Sequence, residues 1–223
     1  MKKFELTAEF VTNVFGKKLF RIKALVAFGD VEKGELGGFI EKEDNLSHDG
    51  NAWVYGNARV SGNARVYGNA RVSGNARVSG NARVFGNARV SGNAQVSGDA
   101  RVYGNARVYG NARVYGNARV YDDAQVYGNA WVYGNAQVSG DARVYDDADY
   151  AVVKGFGRCF RTTTFFRCKD KILRVQCGCF YGDLAQFREI VKKTHGDSKY
   201  AKEYLAIADL MELHFSDECG GEQ

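Results

Sequence analysis

GNAWVY GNARVS GNARVY, residues 50–67, opens a run in which one hexapeptide is written sixteen times, and GDARVY, residues 140–145, closes it. No insertion or deletion interrupts the run. A fixed short period is the signature of a solenoid, whose units bury their apolar sides only against neighbouring coils. Within a unit Ala and Val stand two apart, so an extended backbone turns both inward and the Arg between them outward. The Gly-Asn pair supplies the corner, because both residues tolerate positive φ. Six residues make one short strand and one corner, and three such sides close a triangular coil of 18 residues. The predicted fold is therefore mainly β: a triangular parallel β-helix of about five and a third coils, roughly 26 Å long by strand spacing.

The rest of the chain fits that frame. Apolar residues make up 45% of the 223, ample for a core, and the absence of proline suits a sheet that donates hydrogen bonds at nearly every residue. MKKFELTAEF at the N-terminus has two lysines but no long apolar run, so neither a signal peptide nor a membrane span is expected. Five cysteines, an odd number, without an export signal predict reduced thiols and a cytoplasmic location. Charge is uneven. Residues 50–149 carry 11 Arg and 7 Asp with no Lys and no Glu, and between 50 and 121 ten Arg face the single Asp99. The acids cluster later, at Asp122, Asp123, Asp146, Asp147 and Asp149, so one end of the rod is strongly basic.

The unbroken A-x-V-x-G/D-N/D register resembles the hexapeptide-repeat superfamily. That resemblance implies a left-handed coil, against the right-handed rule for parallel crossovers. It is nearly silent on activity, because the superfamily includes acyltransferases, carbonic anhydrases, ice-binding proteins and inert scaffolds. The segments LFRIKAL, FGDVEKGELGGFIE and NLSHDGNAWVYGNA resemble uncharacterised hexapeptide-repeat proteins of bacterial genomes and prophages.

Three units are expected: an N-terminal β cap over residues 1–49, the β-helix over 50–149, and a small ββαα module over 150–223. In the cap, Phe4–Phe10 and Leu19–Phe28 alternate as strands around a turn near Gly16-Lys17, and Gly34, Gly37 and Gly38 read as tight bends. In the module, Gly157–Cys168 and Lys171–Cys179 form a hairpin turning at Lys169-Asp170. Gly182-Asp183 then caps a helix through Thr194, with Gln186 in the capping-box position. A second helix runs from about Ser198 to Phe215 with Tyr204, Leu205, Ala208, Met211 and Phe215 on its buried stripe. Residues Ser216–Gln223 are expected to fray. The block RTTTFFR…VQCGCFYGDLAQF…THGDSKYAKEYL…ADLMELHF resembles a small module of phage and mobile-element proteins, which implies no activity of its own.

Catalytic signals are sparse. A hexapeptide acyltransferase needs a histidine base and a loop that breaks the coil. The three histidines, His48, His195 and His214, all lie outside the repeats, and no loop interrupts them. His48 falls where the register would put an inward Val, which predicts a capping role. Cys159, Cys168, Cys177 and Cys179 lie within 21 residues but lack the C-x2-C spacing of zinc knuckles. Pairs across the hairpin sum to about 340, which puts Cys159, Cys177 and Cys179 on one face and Cys168 on the other. Neither a catalytic set, a metal site nor a cofactor is expected.

The outward rows carry the functional expectation. Residues 18 apart stack at the strand spacing, so one face presents Arg65, Arg83, Arg101 and Arg119 beside Tyr67, Phe85, Tyr103 and Tyr121. A second presents Arg71, Arg89 and Arg107 behind Trp53, and the third Arg59, Arg77 and Arg113, ending at Trp131 and Tyr133. Arg without Lys favours forked hydrogen bonds and planar stacking over bare charge. The expected protein is a non-enzymatic binder whose Arg-aromatic faces engage nucleic acid or a host nucleic-acid–protein complex. Guanidinium planes would lie on tyrosine rings, and rings would stack exposed bases. Given the prophage resemblance, inhibition of a defence system such as CRISPR-Cas is a specific form of this expectation. A hexapeptide acyltransferase and an oligomerisation scaffold are the competing readings.

Overall fold

A computed structural model describes residues 1–216; residues 217–223, which include Cys219 and most of the tail expected to fray, lie outside the described residues. Three strands, β1 (Phe4–Thr12), β2 (Lys18–Ala24) and β3 (Leu36–Ile40), precede sixteen two-residue strands, β4 (Trp53–Val54) to β19 (Arg143–Val144), one per repeat. Strands three repeats apart pair in parallel with an 18-residue register, as in Arg101↔Arg119 and Val102↔Val120. From Trp53 to Asn117 every six residues send three main-chain N–H groups to the next coil, for example Arg83 to Ala100, Phe85 to Val102 and Asn87 to Gly104, at 2.8–3.0 Å. Ala and Val of every repeat are fully buried and make one continuous column. Burying each such Val contributes roughly 1.5–3 kcal/mol.

The corners divide the work between their two residues. Gly takes a positive φ, as at Gly98 (+70°) and Gly134 (+66°), whereas none of the repeat Asn residues does. The expectation that Asn shares the left-handed conformation is corrected. Its side chain instead donates from coil to coil, Asn69 to Asn87 to Asn105 at 3.1 Å, and the ladder ends on Asp123. Where a corner lacks Gly, Asp122 takes φ +57°.

At the N-terminal end, β3 pairs in parallel with β5 (Arg59–Val60), and β1 and β2 extend that sheet antiparallel. Gly37 and Gly38 are therefore strand residues, not bends. A Cβ on Gly38 would meet the Ala58 carbonyl oxygen at 2.6 Å, so glycine permits the close approach of the first coil. Ile40 pairs with Val60 and Leu46 bridges Val66, offsets of 20 residues rather than 18. Leu46 thus fills the inward slot expected for His48, and the two extra residues swell the corner before Trp53. His48 stacks on Phe4 at 4.3 Å and accepts the Lys3 N–H at Nδ1. Trp53 stands in an outward register position yet is fully buried, because Phe4 and Phe28 cover it edge-on at 6.2 and 5.4 Å. Lys3, also buried, donates from Nζ to Gly50 O (3.2 Å) and Ala52 O (2.8 Å), capping carbonyls at the open end of the coil.

The C-terminal module has four strands where two were expected: β20 (Tyr150–Phe156), β21 (Arg161–Arg167), β22 (Leu173–Cys177) and β23 (Phe180–Asp183), antiparallel in that order. The central hairpin keeps the expected sum of 340, as in Thr163↔Cys177 and Phe165↔Val175. Alternation along β21 splits its side chains between two layers. Phe166 and Cys168 join the solenoid core, while Phe165 packs under α1 (Leu184–His195) and α2 (Lys199–His214). The Thr164 hydroxyl takes the Gln137 N–H at 3.0 Å, and Tyr150 Oη donates to the Trp131 carbonyl. Asp183 and Gln186 form the expected capping box, and Ser198 caps α2. The module closes the C-terminal end of the column.

Two expectations for stability follow. Gly98→Ala places a Cβ 3.0 Å from the Gly116 nitrogen, whereas the same change at Gly134 meets nothing within 4 Å. Both should lose about 1–2 kcal/mol for a left-handed alanine, and chemical denaturation should show a further loss at Gly98 only. Burial lowers the Lys3 ammonium from 10.5 to about 8, against the pull of Asp49. Unfolding then takes up a proton between about pH 8 and 10.5, so stability should rise across that window. Thermal melts of the wild-type protein minus those of Lys3→Met should show the rise, and a flat difference would deny it.

Candidate functional site

The first face is the open one. Arg65, Arg83, Arg101 and Arg119 stand in strict register on one five-stranded sheet, all exposed, and the row ends at Gln137. Among the described residues none of the four has a carboxylate within ion-pair distance. Neighbouring guanidiniums at strand spacing repel by roughly 1 kcal/mol in a water-like dielectric.

Two residues along the strand runs the aromatic column. Tyr67, Phe85, Tyr103 and Tyr121 stack with centroids 4.8, 4.9 and 5.1 Å apart and planes within 2–4° of parallel. The rings stack on one another, not under the guanidiniums. In the repeats a cation–ring contact is found at Arg113 over Trp131 (4.7 Å), on another face. The expectation of arginine lying on tyrosine along this row is corrected. The spacing also closes the column to bases: an inserted base needs ring planes separated by roughly twice the about 3.4 Å rise of stacked bases. No base can enter between these rings, and the column offers ring edges and hydroxyls. Those edges carry the positive side of the ring quadrupole. Burial in the stack, with Tyr121 alongside, raises the Tyr103 hydroxyl above its usual value and keeps it a donor.

The second face is partly spent. Asp30 of the cap grips Arg71 with both carboxylate oxygens at 2.8 Å and also accepts from Tyr55 Oη, so Arg71 leaves the free row. Arg89 and Arg107 stay exposed, and Tyr109 stacks on Tyr127 at 5.1 Å. On the third face the tip of the β1–β2 hairpin, with Val14 and Phe15, overhangs Arg59, Arg77 and Gln95 and leaves a cleft of about 270 Å³.

Sequence reasoning missed a cleft of about 480 Å³ at the head of the first face, where Glu43, Asp44 and His48 meet Arg65, Tyr67 and Arg83. Its cause is the swollen corner. The signal was present as a gap of eight residues from Leu46 to the inward Val54, where the repeat demands six. Cys159, Cys177 and Cys179 line one cavity of the C-terminal module, while Cys168 lies on the opposite face, 4.0 Å from Tyr181 Oη. Among the described residues no group of three or more His, Cys, Asp or Glu is placed to hold a metal. Among the described residues no helix is long and apolar enough to cross a membrane.

A family model described as the YdcK β-solenoid repeat matches ten overlapping stretches that together run from residue 52 to residue 148. The match and the coordinates agree on a repeat β-helix. No curated protein matches the chain.

The ring column is a stability element whose weight depends on position. Tyr103 has a stacked ring on both sides and Tyr67 on one. Tyr103→Ala should therefore cost more than Tyr67→Ala by one stacking contact, about 0.5–1.5 kcal/mol. Denaturant midpoints of the two variants measure the difference.

Proposed function

We propose that this β-solenoid is a non-enzymatic binding protein that engages nucleic acid, or a host complex carrying nucleic acid, through the arginine row of its first face. The observation that carries the reading is the row itself: Arg65, Arg83, Arg101 and Arg119 are exposed, in register and without an acidic partner among the described residues. A docked polyanion relieves their mutual repulsion and releases its own counterions. The forked donors of arginine suit phosphate oxygens. Because the ring column is closed, the contacts are to the phosphate backbone, with ring edges and tyrosine hydroxyls beside them. Single strands then hold no advantage over a duplex. The resemblance of both flanking segments to prophage and mobile-element proteins favours a role against the host. Occlusion of a nucleic-acid-guided defence complex such as CRISPR-Cas is the specific form of the proposal.

Fluorescence anisotropy with a labelled 20-nucleotide single strand and its duplex tests the reading. Binding should weaken linearly with the logarithm of salt, and the duplex should bind at least as well as the single strand. Arg83→Glu with Arg101→Glu should reduce the salt slope by about 2 and the affinity by about 100-fold or more. Arg71→Gln, at a residue already held by Asp30, should change little. Unchanged affinity in the double variant would remove the proposal.

A further inference from the structure

The C-terminal module holds a cavity of about 340 Å³ beneath two neighbouring hairpin turns, 157–160 and 178–179. The turns meet because β20–β21 and β22–β23 close at the same end of the sheet. The inner wall is apolar: Phe180 and Phe187 from the sheet and α1, Ile190 and Val191 from α1, and the Tyr204 ring from α2. Arg158 and Arg161 also line it, and no Asp or Glu does.

Four further observations mark this as a built site. Neither Arg158 nor Arg161 has an ion-pair partner among the described residues. The carboxylate on this side, Glu203, is engaged elsewhere, taking the Gly157 N–H at 2.9 Å and facing Lys199 Nζ at 3.6 Å. A Cβ on Gly178 would stand 2.4 Å from Arg161 Nη1, so the guanidinium lies directly against the second turn. Finally, Phe160 holds φ +50° with its ring two-thirds exposed, a conformation rare for an aromatic residue and concentrated at functional sites.

We infer that this cavity binds a small organic anion with an apolar body, its charged head gripped by Arg158 and Arg161 and its body against Phe187, Ile190 and Tyr204. An apolar wall with a few convergent polar groups is the general form of a small-molecule site. Two unpaired guanidiniums in a wall without acids select a carboxylate, sulfonate or phosphate ester. The thiols of Cys159, Cys177 and Cys179 lie in the same wall, so an occupant shields them.

The test uses the full chain and two probes, 8-anilinonaphthalene-1-sulfonate and octanoate. The first should bind saturably at one site with enhanced fluorescence, and octanoate should displace it. Iodoacetamide labelling followed by mass spectrometry should show Cys159 and Cys179 protected by either probe. Arg158→Gln with Arg161→Gln should weaken binding at least tenfold, whereas Lys193→Gln, outside the cavity, should not. Ile190→Glu, at a half-exposed wall position, should weaken it as well, and serves if the double variant fails to fold. Uptake of neither probe, or uptake that leaves the thiols unprotected, would overturn the inference, as would affinity indifferent to the arginines and to Ile190→Glu.

Discussion

The hydrogen bond that joins each coil to the next, from the N–H of one residue to the carbonyl seventeen positions on, governs everything outside the core. It holds residues 18 apart at one height on one face. Whatever the repeat places after its Ala is therefore copied into a straight row. Inside, the copying yields an unbroken column of Val and Ala. Outside, it puts like beside like, which is favourable for rings and amides and unfavourable for guanidiniums. The same bond stabilises the rod and concentrates its charge.

The structure handles that conflict differently on each face. On the second, the cap lends Asp30 to Arg71. On the third, the hairpin tip shelters Arg59 and Arg77, and Trp131 lies under Arg113. On the first face no carboxylate among the described residues comes within ion-pair distance of the row, although Glu43 and Asp44 line the cleft at its head. Stacked rings beside it offset part of the cost, at about 0.5–1.5 kcal/mol for each pair. An unpaired row on a stiff scaffold is what the proposed polyanion contact rests on.

The repeats were almost wholly legible in the sequence, because period, burial and register all follow from one alternation of Ala and Val. The outward rows were legible for the same reason. What they do was less so. Ring spacing depends on how side chains lean once stacked, so the closure of the Tyr67–Tyr121 column to bases came only from coordinates. The caps were harder still. Gly37 and Gly38 resemble bends, since glycine marks a turn and a close approach with the same letter. Asp30 lies 41 residues from Arg71, and no local pattern joins them. The module's hairpin was readable, yet its outer strands were hidden because Tyr150–Phe156 starts directly after the helical turn Asp147–Asp149, where the repeat register gives out, and Phe180–Asp183 runs straight into a helix.

The triangular coil gives insertions a clock. Adding three hexapeptides lengthens the rod by one coil and leaves both ends in their present alignment. Adding one hexapeptide advances the C-terminal module by a third of a revolution about the axis. Its cavity would then turn with it. A step of 18 therefore preserves the mutual aim of the two ends, whereas a step of six re-aims one end of the molecule against the other.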